Sequence, residues 1–196
     1  MKKTIFAAFL LCALLLTGCG GDKTGNDTRP ETSDVILSAG DCFKVSEEHS
    51  NGVTRYSYSV TAKNGETLES ALCAEQPQVA VINPDLLGIR FTSDDRVFCR
   101  YYDLKNGFVS ESFFNAFWDN GKLVAYYNYD NGHRMVVRSI FDHGSYYYQT
   151  EIDCPSWQLT VTSCELNEQT GELTVSYVYG AYNTKGTVKL PTLASN

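Results

Sequence analysis

The stretch WDNGKLVAYYNYDNGHRMVVR, Trp118 to Arg138, decides the fold. Two Asn-Gly pairs, Asn120-Gly121 and Asn131-Gly132, bracket one apolar and aromatic run and introduce a second. Asn and Gly tolerate the positive φ that type I′ turns need, so Asn-Gly between such runs is the strongest short hairpin signal. Leu123 to Tyr127 and Met135 to Val137 are apolar or aromatic on both faces. That places them between two layers, because a half-solvated strand would alternate.

The same punctuation extends outward. Asn51-Gly52, Asn64-Gly65 and Asn106-Gly107 repeat the signal, and Thr170-Gly171 and Lys185-Gly186 resemble weaker versions of it. Tyr56, Tyr58 and Val60 oppose Arg55, Ser57, Ser59 and Thr61; Trp157, Leu159 and Val161 oppose Gln158, Thr160 and Thr162. Leu173, Val175, Tyr177 and Tyr179 likewise oppose Thr174 and Ser176, the period-two pattern of a half-exposed antiparallel sheet. Val97 to Tyr102 reads as another strand buried on both faces. Glu66 to Glu75 (ETLESALCAE) is the best helix candidate and a short one. Roughly ten to thirteen strands are expected from the turns. The fold class is all-β: an antiparallel meander of hairpins forming a two-layer sandwich or barrel-like domain.

A weak internal echo qualifies this. Asp95-Arg96-Val97, Asn120-Gly121-Lys122-Leu123 and Thr170-Gly171-Glu172-Leu173 each lead into a tyrosine-bearing strand. The last two lie fifty residues apart, near the length of a propeller blade, and the style of repeat resembles propeller proteins. The chain is too short for four full blades of that length, so a small or incomplete β-propeller is the alternative.

The N-terminus sets the address. Lys2 and Lys3 precede an apolar or small run from Ile5 to Leu16, too short for the roughly twenty residues that span a bilayer. Leu16-Thr17-Gly18-Cys19 closes it and resembles the lipobox of bacterial lipoprotein signal peptides. The resemblance implies cleavage before Cys19 and acylation of that residue, leaving residues 1–18 as signal peptide. Two or more acyl chains hold a protein stably at a membrane, so Cys19 suffices as the anchor. Residues 19–34 form a Gly-, Asp- and Thr-rich tether with no hydrophobic residue beyond Cys19, spanning roughly 20 Å. A single ectodomain follows at 35–196. The expected location is the cell membrane or outer membrane, facing the periplasm or the exterior.

Five cysteines remain in the ectodomain: Cys42, Cys73, Cys99, Cys154 and Cys164. Export permits disulfides, and an odd number leaves at least one thiol unpaired. Cys99, in the most apolar strand, is the candidate for that thiol, and one disulfide is expected among the rest. Cys154 and Cys164 lie up to roughly 33 Å apart along an extended chain, so they pair only if Pro155-Ser156 turns it sharply. No C-x-x-C spacing points to zinc or redox work.

Catalytic signals are thin. Asp142-His143-Gly144-Ser145 contains a triad's residue types, but triad members converge from separate elements, and this tetrad is turn chemistry. Asp94-Asp95 and Asn128, Asp130 and Asn131 are turn residues without calcium-loop spacing. Glu47-Glu48 or Glu165 with Glu168 could serve as an acid pair for glycoside hydrolysis only at a separation that sequence does not fix. No metal or cofactor is called for.

The tyrosine load is unusual, with 13 in the chain. Consecutive aromatics on a strand face opposite ways, so some must line a surface, where tyrosine suits recognition. Trp118, Tyr126, Tyr127 and Tyr129 are the expected ligand-binding anchors. The net charge is −7, and loss of Lys2 and Lys3 with the signal leaves about −9, which repels phosphate backbones and excludes nucleic acid as a partner. The expected function is a membrane-anchored, non-catalytic module that binds an envelope or extracellular protein or glycan. The alternative is an acidic inhibitor or immunity-type protein blocking a basic enzyme, with a glycoside hydrolase third.

Overall fold

The computed structural model describes residues 33–50, 52–93, 96–128, 132–141, 146–154 and 159–192. The signal peptide, Cys19 and the tether up to residue 32 lie outside them, as do Tyr129, Trp157 and the Asp142–Ser145 tetrad. The described residues are all-β, with sixteen strands arranged as four sheets that follow one another along the sequence. The first holds β1 (Ser33–Gly40), β2 (Phe43–Ser50), β3 (Val53–Thr61) and β4 (Thr67–Cys73). The second holds β5 (Gln78–Asn83), β6 (Leu86–Ser93), β7 (Arg96–Asp103) and β8 (Phe108–Val109), with β9 (Phe113–Phe114) also on β7. The third comprises β10 (Ala116–Asp119), β11 (Leu123–Asn128), β12 (Arg134–Ser139) and β13 (Tyr147–Glu151). The fourth is β14 (Leu159–Asn167), β15 (Glu172–Tyr179) and β16 (Thr184–Pro191). Strand order in each sheet is the order of the chain and every pairing is antiparallel, the hairpin meander expected from the turns. The excess over ten to thirteen strands comes from the two- to four-residue pieces β8, β9 and β10.

The sheets pack face to face in the manner of a sandwich, and the packing repeats. Val45, Tyr58 and Val60 of the first sheet meet Leu87, Ile89 and Tyr102 of the second. Leu86, Tyr101 and Phe113 of the second meet Val124 of the third. Ala125, Tyr127, Met135 and Val137 of the third meet Leu173, Val175 and Leu190 of the fourth. Neighbours in sequence therefore serve different cores: Leu86 and Leu87, Tyr101 and Tyr102, Val124 and Ala125. A pleated strand sends successive side chains to opposite faces. This is why the inner strands read as apolar on both sides, and Met135, Val136 and Val137 are all 0 % exposed. The repeat that prompted the propeller alternative is physical too, since Asn120–Leu123 and Thr170–Leu173 lead into the second strands of successive sheets. Among the described residues, however, no core joins the fourth sheet to the first, and the stack is open.

One element differs from expectation. The segment read as a helix, Glu66 to Glu75, is β4, paired with β3 from Tyr56↔Cys73 to Thr61↔Thr67. A ten-residue helix is marginal without packing, whereas the strand gains a ladder of hydrogen bonds and buries Cys73.

The turns also differ in type. Gly65, Gly107 and Gly121 have positive φ (88°, 75° and 82°), but their preceding asparagines do not, so these are not type I′ turns. The asparagine acts through its side chain instead: Asn120 Oδ1 accepts from the backbone N–H of Lys122 (3.0 Å) and Leu123 (2.8 Å). Asp103 and Asn167 cap the turns ending at Gly107 and Gly171 in the same way. Gly186 is no turn residue. It sits within β16 opposite Tyr177, and a Cβ there would lie 2.4 Å from the Tyr177 ring.

Candidate ligand-binding cleft

A cleft of about 420 Å³ opens between the first and second sheets. Tyr58, Glu69, Ala71 and Cys73 form one wall, Phe91, Thr92, Ser93 and Arg100 the other, and Ala74 and Glu75 the rim. The strands place these groups by parity. On β4, Glu69, Ala71 and Cys73 alternate toward the second sheet. On β7, Arg96, Phe98, Arg100 and Tyr102 occupy one face, and Val97, Cys99 and Tyr101 the other.

Glu69 is the hub. Its Oε2 accepts from the Tyr102 hydroxyl (2.6 Å), and its Oε1 accepts from the Tyr58 hydroxyl (3.0 Å) and from the Arg100 guanidinium. Arg100 donates Nε and a terminal N–H to Ser112 Oγ (3.1 and 2.6 Å) and lies 5.6 Å over the Phe91 ring. Burial opposes ionisation of Glu69, but the bonds from Arg100, Tyr102 and Tyr58 outweigh it and hold its pKa below the usual carboxylate value. Burial, reinforced by the Glu69 charge, pushes the Tyr58 phenol up to about 12 and raises that of Tyr102 further. Cleft chemistry is therefore a fixed carboxylate and a fixed guanidinium, with the neutral phenol of Tyr58 at the wall and that of Tyr102 buried against Glu69.

An aromatic row runs out of the cleft. Phe91, Phe98 and Phe114 are cross-strand partners on β6, β7 and β9, with ring centroids 5.9 and 5.6 Å apart. Tyr58 tilts against Phe91 at 6.2 Å, and Arg96 lies 5.8 Å over Phe114. The result is a half-exposed face on which cations and rings alternate.

The residues singled out from sequence fall elsewhere. Tyr127 is 1 % exposed, shares a hydrogen bond with His133 Nδ1 (2.5 Å) and belongs to the core between the third and fourth sheets. Tyr126, its neighbour, turns to the opposite face and packs on Phe113 at 5.6 Å. Trp118 is half-buried against the third-to-fourth core, and Tyr129 lies outside the described residues. Strand pleating divides Tyr126 from Tyr127, and Tyr127 is spent on packing, so these positions form no single exposed patch.

The cysteine expectation is also corrected. Cys42, Cys73, Cys99 and Cys164 carry free thiols. Cys42 adjoins Thr61 while Cys73 pairs with Tyr56, which puts them at opposite ends of β3, roughly 17 Å apart and beyond disulfide reach. Burial raises the thiols of Cys73 and Cys99 and lifts Cys164 to about 11. Among the described residues, no group of three or more His, Cys, Asp or Glu side chains is placed to hold a metal ion. Asp119 has its pKa raised by burial and accepts from Tyr101 Oη at 3.2 Å, but it lies at the second-to-third interface, away from the cleft.

Glu69, Arg100, Phe91, Phe98 and Phe114 do not stand out as site residues in the sequence. A signal was present in Arg96-x-Phe98-x-Arg100-x-Tyr102, a period-two cation–aromatic pattern concealed by reading the strand as uniformly apolar. Fold and cleft together define an all-β stack of meander sheets with a polar, ring-flanked groove at one interface. No family model, curated protein or solved structure matches this chain.

Proposed function

We propose that this chain is an exported lipoprotein, anchored through Cys19, whose ectodomain binds a protein or glycan of the cell envelope and performs no chemistry of its own. The observation that carries the binding reading is the cleft. Its tyrosine and phenylalanine rings flank an ordered carboxylate–guanidinium pair, the combination of apolar wall and few polar groups found in ligand sites. Glu69, held ionised by Arg100, Tyr102 and Tyr58, suits a fixed binding group. The anchor rests on the Leu16–Cys19 resemblance and on the charge-free run before it.

The acidic inhibitor remains the second reading, favoured by the net charge of −7. One experiment separates the two. Full-length protein, solubilised in detergent, is used to capture material from native envelopes and is eluted first with salt, then with free sugars. Release of a glycan by sugar, or of a salt-resistant protein, supports the binding module. Release of one basic enzyme by salt supports the inhibitor. Mass spectrometry of the mature N-terminus tests the anchor, which an unmodified Cys19 would refute.

A further inference from the structure

We infer that the cleft between the first and second sheets is a binding site for a neutral sugar, held through neighbouring hydroxyls by Glu69 and Arg100. This rests on the reading of the ectodomain as a binding module and names the class of its ligand.

Donors and acceptors left over in the cleft select this class of ligand. A guanidinium carries five N–H groups. Arg100 uses Nε and one N–H of each terminal nitrogen on Ser112 and Glu69, so each terminal nitrogen keeps a second N–H. A carboxylate has about four lone-pair sites. Tyr58, Tyr102 and Arg100 occupy three of those on Glu69, leaving one on Oε2. The cleft therefore presents two donors and one acceptor side by side, on groups of opposite charge. A carboxylate or phosphate could accept from Arg100 but would meet the negative charge of Glu69, with Glu75 at the rim. An ammonium could donate to Glu69 but would meet Arg100. Adjacent hydroxyls both donate and accept and carry no charge, so they satisfy the pair without a Coulombic penalty.

The walls select the rest of the ligand. Phe91, half-buried, gives apolar surface beside this pair, suited to the C–H face of a pyranose, with Tyr58 buried behind it at 2 % exposure, and Thr92 and Ser93 add hydroxyls. The volume of about 420 Å³ lies within the small-molecule range, roughly 300–1,000 Å³. Phe98 and Phe114 continue the aromatic row beyond the opening, which provides for further sugar units.

The test is calorimetric titration of the full-length protein in a detergent without a sugar headgroup. The probes are maltotriose, cellotriose, mannotriose and N-acetylated chitotriose, with trigalacturonic acid as the anionic counterpart. At least one neutral trisaccharide binds with little dependence on salt. Phe91→Leu, which keeps an apolar side chain but removes the ring, weakens binding by about tenfold or more. Ala74→Trp, at the exposed rim, blocks the cleft without touching a core, and Tyr182→Ala, at a distant exposed turn, leaves binding unchanged. Failure of all four neutral probes, preference for the acidic one, or indifference to both Phe91→Leu and Ala74→Trp overturns the inference. If sugars fail while envelope capture yields a salt-resistant protein, the sugar assignment falls and the binding module stands. If both are empty, both fall.

Discussion

At the scale of single residues, Glu69 ties the first sheet to the second through hydrogen bonds with Tyr102 and Arg100, and bonds Tyr58 within the first. Its side chain is only 17 % exposed and holds Tyr58, Tyr102 and Arg100 in place. Removing it leaves a partly buried guanidinium without its charge partner. Glu69→Ala should cost about 2–3 kcal/mol in denaturant unfolding. The pH dependence has a defined sign. The folded pKa of Glu69 is lowered, so its contribution is complete above the ordinary carboxylate range and is lost as pH falls through that lowered value. Glu69→Gln should flatten the acid limb of a stability-versus-pH curve, and an unchanged limb would contradict the network. Asp119 acts in the opposite sense: burial raises its folded pKa, so its ionisation as pH rises costs stability. Gly186 is a residue of the same importance for a different reason. Its missing side chain is filled by the Tyr177 ring, and Gly186→Ala should destabilise by about 1–3 kcal/mol through overpacking, read as a lowered melting temperature.

At the scale of elements, the turns determine register, and their glycines are not interchangeable with other residues. Gly107 and Gly171 hold φ of 75° and 66° at the ends of turns capped by Asp103 and Asn167. Gly107→Ala and Gly171→Ala should each lower unfolding free energy by about 1–2 kcal/mol. Alanine at the exposed Asn106, whose φ is ordinary, should cost less than at Gly107. Sequence made these hairpins legible because Asn-Gly acts locally, and the alternation at Tyr58–Val60 and Leu173–Tyr177 carried through to burial. It concealed β4 because ETLESALCAE has good intrinsic helix formers, and only pairing with β3 decides against them. The cleft was harder to see for a related reason. Glu69 meets Arg100 across 31 residues and two sheets, a juxtaposition that no local pattern encodes. Tyr126 and Tyr127 looked equivalent in sequence, but one faces each interface.

At the scale of the molecule, the four sheets share three cores in series, and stability should be distributed accordingly. The strands of the second and third sheets are buried on two faces, and Val124, Ala125 and Met135 to Val137 are 0 % exposed. Hydrogen exchange should be slowest in β6, β7, β11 and β12 and fastest at the outer strands β1 and β14. Uniform protection across all four sheets would contradict a serial stack. The same arrangement leaves the first interface open where the cleft lies. Ligand recognition at that opening is what we propose for the ectodomain. Its most direct measurement is photo-crosslinking in living cells, with a photoreactive amino acid at Ala74 on the cleft rim of the full-length chain and, for comparison, at Tyr182. A discrete adduct with an envelope glycan or protein is expected from position 74 and none from 182. Adducts only from 182, or none from 74 while the protein is folded and in the envelope, would contradict it.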